Sequence, residues 1–351
     1  MFKPNFTPTS KIINAISELS KIKTLVEKSR VLPLNEAQLR RQAIVRMAHT
    51  STSIEGNPLA EYQVDKVLSG MSVSADQKSI QEVKNYQEAL KKVEQLAQSK
   101  KTITLDDILK LHAVTMKNLL DPKKTGKFRP GPIYIIDDLG DGREKLRFRG
   151  PDTKKVPFLI NELLKWLNQA EKEELHPTIE AGIFHTQFVH IHPFSDGNGR
   201  VTRLLTILFL YKAGWDFRKI LVLEDFYNRD RQAYYNALAD NWSTEYKEGN
   251  DITPWLEYFM NGFLVEARKV EEKITAIGFT KAGAKDEQIF LDKDEIQVMD
   301  FLNTVGKLTS DDVVDILKIA KRTAQLKLKN LVDKGLIKPQ GKGPSTYYIL
   351  A

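Results

Sequence analysis

A histidine, an acid, an amide and two arginines fall within one short stretch, His192-Pro193-Phe194-Ser195-Asp196-Gly197-Asn198-Gly199-Arg200-Val201-Thr202-Arg203. Gly197 and Gly199 flank Asn198, so the backbone is free to take positive φ and aim successive N–H groups into one concavity at a helix N-terminus, an arrangement that binds anions. Arg200 and Arg203 lie i, i+3 on the first turn of the following helix, where the macrodipole disfavours cations by about 0.3–1 kcal/mol each. An anion should compensate them. A polyphosphate suits: the N–H groups and Asn198 for one phosphate, the guanidiniums for the others, and Asp196 for Mg²⁺, a hard cation that binds through few carboxylates plus phosphate oxygens. His192 stands just before the loop, where it can take a proton at neutral pH. The competing reading is a helix-loop-helix with a Gly-rich turn, an ion-paired arginine and a satisfied histidine.

Two helices must position this loop. Residues 183–191 carry a helix-like apolar pattern, and residues 204–211 are apolar on nearly every side, as a buried helix requires. His185, His190 and His192 invite a metal-site reading, which geometry opposes. His185 and His192 share a face about 10 Å apart along the axis at ~1.5 Å per residue, and His190 points elsewhere; His185 and His190 read as structural. Upstream, helical periodicity runs through Ile12, Ile16 and Leu19 and again through Leu39, Ile44 and Ala48, and Gly56-Asn57-Pro58 stops the second helix. Ser51 and Glu55 lie i, i+4 on its last turn. A carboxylate there opposes the macrodipole, so Glu55 either needs a cationic partner or is a solvated acid on a frayed end.

The loop resembles the Fic-family signature, His-x-Phe-x-Asp/Glu-Gly-Asn-Gly-Arg-x-x-Arg, at every specified position, and Ser51-x-x-x-Glu55-Gly56 resembles the family's inhibitory motif. The resemblance implies a mainly α protein with a Fic-type helical core and transfer of AMP from ATP, with Mg²⁺, onto a Ser, Thr or Tyr hydroxyl of a target protein or of itself. It makes His192 catalytic, Asp196 the metal ligand, and Asp196, Gly197, Asn198, Gly199, Arg200 and Arg203 nucleotide-binding. Glu55, with Ser51, would pair with Arg203 and take the place of the γ-phosphate. Short β-prone runs at 133–136 and 146–149 around Asp141-Gly142 read as a hairpin, which the resemblance makes a flap that docks the target by strand addition. Tyr234-Tyr235-Asn236-Ala237-Leu238 resembles a family stretch that places Tyr235 by the adenine, with Asn241 as an amide partner for the base. Two alternatives stay open: removal of AMP at the same site, with Glu55 orienting a water, and a DNA-binding regulator whose Fic domain senses nucleotide.

The expected organisation is an N-terminal helical region (1–100) with the inhibitory helix at about 36–56, a catalytic core (101–275) with the flap at about 129–150, a linker (276–286) and a C-terminal domain (287–351). The pattern of that domain, three helices and a two-stranded tail, resembles a winged helix-turn-helix with residues 321–333 as recognition helix and Gly341-Lys342-Gly343-Pro344 as wing. Arg322, Gln325 and Lys329 lie on the outward side, where they could meet phosphates or base edges; such domains also serve as protein-protein modules, and a homodimer would strengthen the DNA reading. A helix is also expected between Thr102 and Leu120. The 351 residues carry a net charge of +7, and residues 318–351 alone hold eight Lys and Arg against one acid, so attraction to nucleic acid is confined to the C-terminal end. There is no cysteine, hence no disulfide. With no signal pattern and no apolar run near ~18 residues, a soluble, cytoplasmic protein without a membrane partner is expected.

Overall fold

The computed structural model describes residues 2–29, 31, 33–138, 143–168, 175–239, 244–279, 291–341, 343 and 346–351. The apolar spacing of the first part of the chain produces helices α1 (Ser10–Lys28), α2 (Pro33–Ile54), α3 (Glu61–Leu68), α4 (Gln77–Gln98) and α5 (Leu105–Thr115). A hairpin of β1 (Tyr134–Asp138) and β2 (Glu144–Arg149) follows, then α6 (Val156–Asn168), α7 (Pro177–Ile191), α8 (Asn198–Lys212), α9 (Glu224–Arg229), α10 (Arg231–Ala239) and α11 (Thr253–Phe279). The chain closes with α12 (Lys293–Val305), α13 (Ser310–Leu317), α14 (Lys321–Asp333), β3 (Ile337–Gln340) and β4 (Tyr347–Leu350).

The core sits around α7 and α8, nearly all of whose residues are buried. They lack an amphipathic stripe because they are covered on all sides: α8 packs on α7, α4 and α5, while α6 and α11 cover α7. In the hairpin, β1 and β2 pair antiparallel from Tyr134↔Arg149 to Asp138↔Glu144, with an irregularity between Ile135 and Ile136. Its base is tied down, because Arg149 N donates to Thr244 O (2.8 Å) and Tyr246 N to Arg149 O (3.1 Å). The Asp141-Gly142 turn expected at its tip lies outside the described residues, as do most of the expected linker and Lys342 and Pro344 of the expected wing.

The helix expected from Thr102 to Leu120 is shorter, because α5 ends at Thr115. Asn118 has φ +60°, which a helix cannot continue through, and the buried Asn85 amide takes the freed carbonyls of Thr115 (3.1 Å) and Lys117 (2.7 Å).

A second core forms from Val298, Leu302, Val313, Leu328, Leu331 and Leu336, and Ala37 of α2 belongs to it. Capping boxes at Asp292/Glu295 and Thr309/Asp312 start α12 and α13. The N-terminal half of α2 thus lies against the C-terminal helices. There Arg40 pairs with both Glu36 and Asp300, and from α4 Gln87 Nε2 donates to Thr304 O (2.7 Å). The opposite end of α2 carries Ser51. The basic excess of residues 318–351 is answered in part within the fold, since Lys321, Lys327 and Lys334 pair with Asp311, Asp292 and Glu295. Over residues 291–351 ten Lys and Arg face eight Asp and Glu, a net of +2, so the local charge that pointed to nucleic acid is smaller than residues 318–351 suggested.

Candidate active site

His192 ends α7 with φ 49° and ψ 62°, a left-handed conformation uncommon outside glycine. This turns the chain out of the helix and into the signature loop. His192 Nδ1 lies 3.1 Å from Val189 O, which assigns the ring proton to Nδ1 and leaves Nε2 as an acceptor. Burial lowers the pKa of His192 and the Arg129 guanidinium adds to this, against the opposing Val189 carbonyl and the Glu55 and Asp196 carboxylates. The imidazole is therefore neutral at pH 7.

Gly197 takes φ +77° as N-cap of α8, so only its lack of a Cβ makes the turn cheap. Asn198 departs from the expectation that its amide meets a phosphate. It is 3% exposed, and its side chain both accepts from Phe194 N and donates to Phe194 O at 2.9 Å, stapling the loop across itself. The Asp196 carboxylate is about half exposed and accepts from Gly197 N and from Arg200 Nη2 (3.2 Å). A single accessible carboxylate beside first-turn N–H groups suits Mg²⁺, which keeps several waters and completes its shell with phosphate oxygens.

Arg200 and Arg203 leave α8 toward different neighbours. Arg200 is buried, with Nη1 3.6 Å from Glu82 Oε1 on α4, yet its Nε and Nη1 have no hydrogen-bond partner among the described residues. Buried donors left in this state are costly without a ligand. Arg203 instead is fully engaged by the end of α2: Nε donates to Ser51 Oγ, and Nη2 to Ser51 O and to Glu55 Oε1, each at 2.8 Å. Burial alone would lower the pKa of Arg203, but the Glu55 carboxylate together with the Tyr234 and Tyr86 hydroxyls outweighs it, and the net shift is upward. Any side chain at Gly199 would collide with Glu55 Oε1, so this glycine is what lets Glu55 reach the first turn of α8.

Glu55, His192, Gly199, Arg203 and Tyr235 line one cavity of ≈160 Å³, whose remaining wall includes Arg147 and Phe148 from β2 and Leu238 from α10. Tyr235 also donates to Ile54 O (3.2 Å), at the end of α2. Tyr234 is core, its hydroxyl 3.0 Å from His185 Nε2. Asn241 lies outside the described residues. His185 and His190 are buried and partnered as expected, and burial pushes His190 down to about 3.

Three contributors were not singled out from the sequence. Glu82 faces Arg200. His112 stacks on Phe194 with centroids 3.8 Å apart. Its Nε2 lies 3.1 Å from Asp196 O while Gly126 N donates to its Nδ1, and burial takes its pKa down to about 4, so a neutral ring props the loop. Arg129 donates through Nε to His192 O (2.9 Å). No spacing rule marks these, because each acts from a separate segment and mostly on backbone.

Residues 102–210 match the family model described as Fic/DOC family. A protein adenylyltransferase Fic of Drosophila mojavensis is 33% identical over 179 residues, covering 50% of this chain and 33% of the relative. That of Drosophila grimshawi is 29% identical over 215 residues, covering 59% and 42%. The chain thus spans between a third and less than half of these relatives' length. Among solved structures, a Fic family protein from Desulfovibrio desulfuricans superposes with TM-score 0.64 at 26% identity, over 100% of this chain and 98% of that one. A Fic domain containing signaling protein from Bacteroides thetaiotaomicron shares the fold (TM-score 0.63, 23% identity, 75% and 98% coverage).

Proposed function

Residues 102–210 are a Fic/DOC-family domain, and on that premise we propose that the protein is an adenylyltransferase that moves AMP from ATP to a hydroxyl of a target protein, or of itself, and that Glu55 holds it inactive. The hydroxyl oxygen attacks the α-phosphorus, the bond to the oxygen bridging the α- and β-phosphorus breaks, and pyrophosphate leaves. Nε2 of His192 takes the hydroxyl proton. The first-turn N–H groups of α8 and the unpartnered nitrogens of Arg200 receive phosphate oxygens. Asp196 would hold Mg²⁺, which when bound supplies neutralisation of phosphate charge. Arg203 takes the γ-phosphate once Glu55 leaves it, and Tyr235, which lines the same cavity, is assigned to the nucleoside.

The observation that carries this reading is the Arg203–Glu55 pair at 2.8 Å, in a cavity that also holds His192. Incubating the Glu55→Gly protein with α-labelled ATP and cell lysate should label the protein itself and its targets, and adding His192→Ala should remove that label. Absence of label in both would refute the transfer reaction.

We assign residues 287–351 to a winged helix on the order α12–α14, β3, β4, and the core to 101–275. On α14 the side chains of Arg322, Gln325 and Lys329 are exposed, as a DNA-facing surface requires. Charge supports this only weakly at a net of +2. Loss of salt-dependent DNA binding on Arg322→Ala/Lys329→Ala would support it, and no binding by the full chain would end it. No described helix is long and apolar enough to cross a membrane.

A further inference from the structure

We propose that Arg129 is a positioning residue for His192, a single buried guanidinium that clamps both legs of the β1–β2 hairpin to the His192 carbonyl and so fixes where the imidazole points; this rests on His192 being the proton acceptor. Arg129 is 3% exposed. Its Nε donates to His192 O at 2.9 Å, Nη1 to Gly131 O at 2.7 Å and to Thr153 Oγ1 at 2.9 Å, and Nη2 to Pro151 O at 2.5 Å. Its backbone N donates to Pro193 O at 2.9 Å. Gly131 precedes β1 and Pro151 follows β2, and the two legs are themselves joined there by Gly150 N to Ile133 O (3.1 Å). One residue therefore spans the entry to the hairpin, its exit and, through its side chain and its backbone N, the first two residues of the signature.

Three physical arguments single out this contact. A non-glycine residue in the left-handed region persists only where its surroundings over-determine it, and Arg129 supplies two of the bonds that hold the 192–193 backbone. The carbonyl it takes lies at the C-terminal end of α7, where the macrodipole favours a cation. The four acceptors form a fan that suits a planar guanidinium fork, whereas a lysine ammonium has three donors and no fixed plane. Arg129 does not line the nucleotide cavity. Its effect should thus fall on the chemical step and leave ATP binding alone.

The test uses the full-length protein carrying Glu55→Gly, with Arg129→Gln or Arg129→Lys added. It measures AMP transfer, ATP affinity, and the ring ¹⁵N signals of His192, which report the tautomer whether or not the protein is active. Both variants should bind ATP within about twofold of the parent and lose about 10²-fold in kcat, the scale of a small misplacement of a reacting group. The His192 ring should leave its single Nδ1–H tautomer. Full rescue of kcat by lysine would reduce Arg129 to a charge and overturn the proposal. Unchanged His192 signals, or loss of ATP binding in both variants in step with kcat, would overturn it too. If the Glu55→Gly parent transfers no AMP, the transfer reading fails, while the His192 signals still decide the role of Arg129.

Discussion

Arg129 and Arg203 flank His192, are buried to 3% and 2% exposure, and are satisfied in opposite ways. Arg129 sits at the C-terminal end of α7 and gives all its bonds to backbone carbonyls and one hydroxyl. Arg203 is the sixth residue of α8, in its second turn and near the end of a helix that disfavours a cation, and its charge is met by a carboxylate 148 residues away in sequence, just past the end of α2. The first set of partners belongs to the folded frame and has no reason to leave. The second joins two bonds to Ser51 with one acid at a helix end, and another anion can take the place of that acid. The difference separates a residue that holds the site's geometry from one that decides what enters it.

The largest way to break this contrast is Arg203→Ala in the Glu55→Gly background. With its charge absent, the leaving pyrophosphate loses a buried donor, and kcat/KM for ATP should fall about 10²–10³-fold, the scale seen when one preorganised donor is removed. An unchanged kcat/KM would mean that Arg203 serves only the contact with α2. Next in size is the stability of the unliganded protein. Glu55→Gly leaves Arg203 without its acid, but the Glu55 side chain is a quarter exposed and both Ser51 bonds remain. The cost is then about 1–2 kcal/mol, below that of a fully buried pair. Thermal melts should show a lower Tm that saturating ATP raises by more than it raises wild type, whereas Arg129→Gln should lower Tm with no such differential gain.

The same pair of environments sets the pH profile. His192 must be neutral to accept a proton, and its pKa lies below the ordinary 6.5. The transfer rate should be flat above neutrality and fall as pH drops through that lowered value. Glu55 raises the pKa of His192 and Arg129 lowers it, so Glu55→Gly should move the acid limb to lower pH and Arg129→Gln to higher pH. Limbs that move together would contradict the charge argument. Smallest is Tyr235→Phe, which removes one hydrogen bond from the end of α2 at Ile54. At about 0.5–1.5 kcal/mol it should raise basal labelling of the otherwise wild-type protein by about two- to twelvefold, and a drop would assign the hydroxyl to the nucleotide instead.

What the sequence disclosed follows the same division. The signature is contiguous and Ser51 and Glu55 share one helical turn, so both were legible, and the need of Arg203 and Glu55 for opposite charge pointed each to the other. Arg129, His112 and Glu82 were not, because their partners are backbone atoms or lie on distant segments, and no periodicity encodes that. Asn198 was read as a phosphate ligand from its place between two glycines, yet the loop needs its amide to close upon Phe194. The buried helices α7 and α8 were legible as unbroken apolar runs. The end of α5 was not, since Asn85 on another helix takes its carbonyls. The charge count over residues 318–351 overstates the local excess because it leaves out Asp292, Glu295 and Asp311, which pair with Lys327, Lys334 and Lys321.

The central claim is that Arg203 has two competing anions, Glu55 and the γ-phosphate. The direct measurement is the ratio of ATP to ADP affinity in wild type and in Glu55→Gly, taken calorimetrically with Mg²⁺, since the two nucleotides differ only in that phosphate. The account predicts a ratio near one in wild type and a preference for ATP of about tenfold in the variant, equal to ~1.4 kcal/mol. The same ratio in both proteins would contradict it.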